Sequence, residues 1–191
     1  MDIPIEDLEF DRIYPPNVRK LTFAHWSPVE VSRLAADYLV TLAETRVLDI
    51  GSGAGKFCII GALTGDGHFI GVEQRQTLVK LSKSICKRFE ILNTEFFHAN
   101  IVHIDFLEYD AFYIYNPFQE NLYPARKMDG KITCSKEHYL KYTKYVKGEL
   151  AKTPVGTRLV TYWYAQDEIP KSFEIENSHF GGKLLFWQKI N

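Results

Sequence analysis

The chain has 191 residues, is 46% hydrophobic, and carries 13 Phe, 11 Tyr and 3 Trp. A chain of this length buries roughly 70% of its unfolded surface on folding, which excludes disorder as the main state and makes a single domain the expectation. Its 23 basic and 24 acidic residues nearly cancel, so a net charge of -1 gives no whole-protein field to hold a polyanion or an anionic membrane. Any such site must be a local patch.

Cys58, Cys86 and Cys134 are odd in number, far apart and never in a C-x-x-C pair, so neither a disulfide framework nor a thiolate zinc site is encoded. The start, MDIPIEDLEF, is acidic where an export signal needs a basic region and an apolar run. The longest apolar runs, such as Phe57 to Leu63, fall far short of the ~20 residues that span a bilayer. The expectation is a soluble cytoplasmic protein without a membrane partner.

In chain order, residues 1–26 read as irregular, broken at Pro15-Pro16. Ser27-Pro28-Val29-Glu30 then forms a capping-box pattern, and Val31, Leu34, Ala35, Tyr38, Leu39 and Leu42 follow at helical spacing, predicting a helix over 28–44. From Arg46 short apolar runs alternate with helical stretches. Strands are expected at 46–50, 68–73, 94–99, 110–115 and 157–164, helices at 54–63, 75–89 and 135–152, and a short helix or turn near 101–108. The final two β-rich runs flank Gly181-Gly182 with too few residues between them for a helical crossover, so they must pair antiparallel. The whole reads as α/β, a mostly parallel seven-stranded sheet ending in an antiparallel hairpin. Residues 1–45 are an N-terminal segment with a helix, and 46–191 form the core.

Strand RVLDI runs into Gly51-Ser52-Gly53-Ala54-Gly55-Lys56. A Walker A loop would need Gly where Ile50 stands and Ser or Thr where Phe57 stands. A dinucleotide fingerprint would need Gly at Lys56, and a nucleophile elbow would need Gly at Ile50. What remains is D-x-G-x-G-x-G, from Asp49 to Gly55, with Glu73 at the end of the next strand, 22 residues after Gly51. The fourth strand ends in Asn116-Pro117-Phe118. Together these motifs resemble the class I S-adenosylmethionine-dependent methyltransferases, over residues 46–118 and, in element order, through the terminal hairpin.

The resemblance implies a Rossmann-like fold, methyltransferase activity, and S-adenosyl-L-methionine as cofactor with S-adenosyl-L-homocysteine as product. Glycines let the main chain approach a ligand, and the helix that begins at the loop offers unpaired N–H groups to a carboxylate. Asp49, Gly51, Ser52, Gly53 and Gly55 are therefore candidates for the methionine end, and Glu73 for the ribose diol. The family often places an acidic residue where Asn100 stands, to bond the adenine amino group. Asn100 can accept the same bond, with Asp105 as a competitor, while Ile101 could touch one adenine face and Gln74 and Arg75 the other. His25, His98 and His103 show no metal-ligand spacing, and no metal is expected.

At the fourth strand's end, amine methyltransferases of this class often carry [DNS]-P-P-aromatic; here one proline is missing and Phe118 follows Pro117 directly. Asn116 could orient an amine lone pair without adding a full charge, Pro117 fix the chain direction, and Phe118 exclude water. This makes Asn116, Pro117 and Phe118 the catalytic candidates, with Asn116 also beside the cofactor. A fainter resemblance, to the non-SET histone-lysine methyltransferases, rests on Asp49 to Gly55, Gly71 to Glu73, Asp105-Phe106 and Asn116.

Residues 119–134 form a long connection that, with His25-Trp26, is expected to wall an acceptor pocket. Trp26 reads equally as a staple on the helix behind it. Segment 126–152 is +5, with eight basic residues against Asp129, Glu137 and Glu149. Lys141, Lys144 and Lys147 repeat along one helix face opposite Tyr139, Tyr142, Val146 and Leu150. That face could receive an acidic protein or a nucleic acid, or simply be solvated. The acceptor expected is an amine on a macromolecule, protein ahead of nucleic acid. The alternatives are a non-catalytic cofactor-binding partner protein and a small-molecule methyltransferase.

Overall fold

A computed structural model describes residues 6–20, 25–123 and 128–191. Arg126 and Lys127 of the basic segment lie outside the described residues, as do 1–5 and 21–24 of the N-terminal segment. Where 1–26 is described it holds two short helices, α1 (Asp7–Phe10) and α2 (Pro16–Arg19), with a 3-10 turn at Asp11–Ile13 between them.

The next helix, α3 (Val29–Leu39), is shorter than the 28–44 expected and does not use its capping box. Ser27 Oγ instead lies 2.6 Å from the buried Tyr113 hydroxyl, while the Val29 N–H donates to Asp7 Oδ1 at 3.0 Å. A carboxylate from α1 thus satisfies a helix-end donor that the local sequence assigned to serine. Beyond Leu39 the chain turns, with Thr45 Oγ1 accepting from the N–H groups of Thr41 and Leu42. Leu42, expected on the core face, is 70% exposed.

The remaining elements follow the expected order: β1 (Arg46–Ile50), α4 (Lys56–Thr64), β2 (His68–Glu73), α5 (Gln76–Arg88), β3 (Thr94–His98), β4 (Ala111–Tyr115), α6 (Lys136–Lys152), β5 (Arg158–Tyr162), β6 (Phe173–His179) and β7 (Leu184–Lys189). Short 3-10 turns occupy 101–103 and 106–108. The sheet order is β3-β2-β1-β4-β5-β7-β6. Strands β1 to β5 are parallel, and β7 is antiparallel to both β5 and β6, so the terminal hairpin forms as expected.

Both faces of the sheet are covered, which is why its strands read as continuous apolar runs. Successive residues point to opposite sides: Val47, Phe69, Tyr113, Val160 and Phe186 join the core under α3, α4 and α5. Leu48, Ile70, Phe112, Leu159 and Trp187 join the core under α6 and the 3-10 turns. The strand order reverses between β1 and β4, so the loops leaving their carboxyl ends diverge to opposite faces and open a crevice there.

Candidate active site

The loop after β1 and the turn after β4 meet at that crevice. Gly51 has φ 78°, and a Cβ placed on it would stand 2.5 Å from the Cβ of Pro117. Gly53 differs: with φ 54°, its absent Cβ would meet only Trp26, whose Nε1 and Cδ1 would lie 3.6 and 3.7 Å away. The protein itself therefore leaves space over Gly53 where the main chain is bare.

Two polar side chains at the glycine loop lack partners among the described residues: Trp26, over Gly53, and Ser52, whose side chain lies against Gly71 of β2. Trp26, 6% exposed and packed 4.6 Å from the Tyr14 ring, has a buried Nε1 with no acceptor. Ser52 Oγ is likewise buried and unbonded. An unpaired buried donor costs about 1–3 kcal/mol, which an anionic or carbonyl ligand at Trp26 Nε1 would recover.

The two acidic candidates are both buried. Asp49 accepts from Cys58 Sγ at 3.5 Å, and burial, helped by the charge of Glu73, pushes its carboxyl up to about 7 against the opposing effect of that thiol bond. Glu73 accepts from the Gly53 N–H at 3.2 Å and from the Arg75 N–H at 2.8 Å. Burial raises its pKa, with these bonds and the Arg75 charge opposing. Each carboxylate oxygen keeps a second lone pair, so Glu73 can brace the glycine loop and still accept from a diol.

Lys56, at the first position of α4, is buried and clamped by Asp7 at 2.6 Å and Asp11 at 2.8 Å. It ties the N-terminal elements to the helix that follows the glycine loop. Arg75 is engaged by the chain that follows the β4 turn. It is buried in a bidentate pair with Glu120 at 2.9 and 2.7 Å, and contacts Asp129 at 3.2 Å. Glu120 and Asp129 are thereby fastened to the residue that opens α5 just beyond β2.

The adenine-side candidates have structural duties. Asn100 Oδ1 accepts from the Val102 N–H at 3.2 Å while its Nδ2 donates to the Tyr142 hydroxyl at 3.1 Å. Asp105 caps the next turn through the Leu107 N–H. Ile101 is buried in the α6-side core, and Gln74 is half-buried, its carbonyl meeting His98 Nε2. At the reaction end, Asn116 is half-buried with φ 41°, and its carbonyl accepts from the Gln119 N–H. The Phe118 ring turns away into the core, 5.4 Å from Tyr142. On α6, Lys141 and Lys144 are exposed, whereas Lys147 donates to the Asp167 carbonyl and Lys152 pairs with Glu149.

The profile of a family described as a methyltransferase domain matches residues 42–124, a stretch that runs from β1 past Asn116. That stretch is therefore similar to a methyltransferase domain. No curated protein sequence matches it. Among solved structures, an RNA methyltransferase from Salinibacter ruber in complex with S-adenosyl-L-homocysteine is similar at 16% identity with a TM-score of 0.60, over 86% of this chain and 92% of that one. TrmN from Thermus thermophilus is similar at 17% identity and a TM-score of 0.65, over 91% of this chain and 52% of that one. A ribosomal protein L11 methylase from Lactobacillus delbrueckii subsp. bulgaricus aligns at 11% identity and a TM-score of 0.57, over 85% and 78%. At these identities the likeness is one of fold.

The cofactor of the methyltransferase, S-adenosylmethionine, supplies an activated methyl group on a sulfonium. The residues present fit it: bare main chain at Gly53, the unpaired Trp26 Nε1 and Ser52 Oγ, and the Glu73 carboxylate are the donors and acceptors that would hold its two polar ends. Sequence reasoning missed Lys56 and the placement of Trp26. The one available signal was Lys56 itself, a cation directly after a glycine loop that the phosphate motifs do not explain.

Proposed function

We propose that the methyltransferase acts on an amine nitrogen carried by a macromolecule. The observation behind this reading is the end of β4: Asn116 leaves the strand in a left-handed conformation beside Pro117, which is packed onto the glycine loop. A neutral carboxamide at that point can hold an amine by accepting its N–H, leaving the lone pair directed at the methyl donor, and adds no charge that would favour a protonated, unreactive amine. Arg75 and its two carboxylate partners keep the 119–134 connection over the same edge, where it can exclude water.

The test is incubation with methyl-labelled S-adenosylmethionine and separate pools of RNA, protein and small metabolites. Label should enter a macromolecular fraction as N-methyl groups. In Asn116→Ala, cofactor affinity should stay within a few-fold while turnover falls about tenfold or more, as for a group serving the transition state. Full activity in Asn116→Ala would reduce Asn116-Pro117 to a turn, and label confined to metabolites would remove the macromolecular acceptor.

A further inference from the structure

Next to Asn116, across the β4–β5 pairing, stands a second bulky residue in the left-handed region. Tyr115 and Tyr162 are register partners with rings 4.9 Å apart. The residues that follow them, Asn116 and Trp163, leave their strands with φ 41° and 50°. For tryptophan such a backbone costs free energy, and the ring does not recover it by burial, since Trp163 is 49% exposed. Its position is held from the neighbouring strand. The Trp163 N–H donates to the Lys183 carbonyl at 2.9 Å, and the Lys183 ammonium stands 4.5 Å from the centre of the indole ring. A continuous aromatic path, Tyr115 to Tyr162 to Trp163, thus runs from the reaction end of the crevice to solvent and finishes beside a cation.

We infer that Trp163 and Lys183 form a platform for an unpaired nucleotide of a nucleic-acid acceptor, with the base on the indole and the phosphate at the ammonium. The inference rests on the amine-methyltransferase reading above and names its substrate class. Lys183 stands over one face of the indole, so a base would stack on the other, and the ammonium matches the phosphate that every nucleotide carries. A lysine acceptor would instead be repelled by the ammonium already held at the ring.

The test uses fluorescence anisotropy of a labelled single-stranded oligoadenylate with the whole protein in the presence of S-adenosylhomocysteine, alongside calorimetry of S-adenosylmethionine. Wild type should bind the oligonucleotide, more weakly as salt rises. Trp163→Gly removes the ring and relieves the backbone, and should lose about tenfold in oligonucleotide affinity while keeping its melting temperature and cofactor affinity. Trp163→Phe should retain most of the binding, and Lys183→Gln should flatten the salt dependence. Unchanged affinity in Trp163→Gly overturns the platform, as does a lysine-rich peptide that displaces the oligonucleotide and is weakened by neither substitution. Failure of the amine reading shows separately, as full turnover in Asn116→Ala.

Discussion

Gly51 and Pro117 touch with no room for a side chain between them: a Cβ on Gly51 would stand 2.5 Å from the Cβ of Pro117. The cofactor loop after β1 and the acceptor turn after β4 are therefore set against each other, and a change in one moves the other. Gly51→Ala adds a clash to an unfavourable backbone, since φ is 78° there. It should cost about 1–3 kcal/mol of stability and lower cofactor affinity and turnover together. Thermal melts, calorimetry and single-turnover assays check this, and a variant with normal turnover would show that the two loops shift independently.

Trp26→Phe separates packing from hydrogen bonding. The phenyl ring keeps the contact with Tyr14 and removes an indole N–H that has no acceptor among the described residues, so stability should hold or rise. Cofactor affinity should fall by about 1.5–3 kcal/mol, the worth of a hydrogen bond to a charged group. Equal affinities for wild type and variant would remove Trp26 from the binding site.

Asp49 gives the protein a pH signature. Its carboxyl titrates at about 7 in the fold against 3.8 in a model peptide, because burial disfavours the charge. Between those values the folded chain keeps a proton that the unfolded chain has released, so this contribution lowers stability as pH rises through the window and levels off above it. Asp49→Asn should abolish that slope. Relative to wild type it should gain up to about 4 kcal/mol at slightly alkaline pH and little near the lower end of the window. Urea unfolding at about pH 5 and about pH 8 measures the difference, and parallel pH profiles would contradict it.

Lys56→Met leaves Asp11 buried without its cation. Removing one partner of a buried pair costs about 3–5 kcal/mol, and the loss should appear first as proteolysis within residues 6–20, whose tie to α4 has been cut. Asp7 is half-exposed and can be rehydrated, so Asp11→Asn in the same background should restore part of the stability. If Lys56→Met melted like wild type, the clamp would contribute nothing to the fold.

The elements that carry the site were legible because each follows from local pattern. Continuous apolar runs at 46–50, 68–73 and 110–115 mark strands buried on two faces. Glycines between a strand and a helix mark a ligand loop, and the spacing to Glu73 places an acid at the next strand's end. What the sequence could not show are pairings between residues far apart in the chain. Ser27 had the local signature of a cap, yet Tyr113, 86 residues away, took its hydroxyl, and Asp7 supplied the cap instead. Lys56 found Asp7, and Arg75 found Glu120. Trp163 is held by Lys183, in the turn just before β7.

Composition, periodicity and glycine spacing thus determined the order of strands and helices and the place of the glycine loop between β1 and α4, since these depend on alternation of apolar residues and on backbone freedom within a few residues. Only the tertiary structure decided which polar side chains remain available to ligands. A buried donor or acceptor must be satisfied by whatever the fold brings beside it, and sheet order, not sequence proximity, chooses that partner.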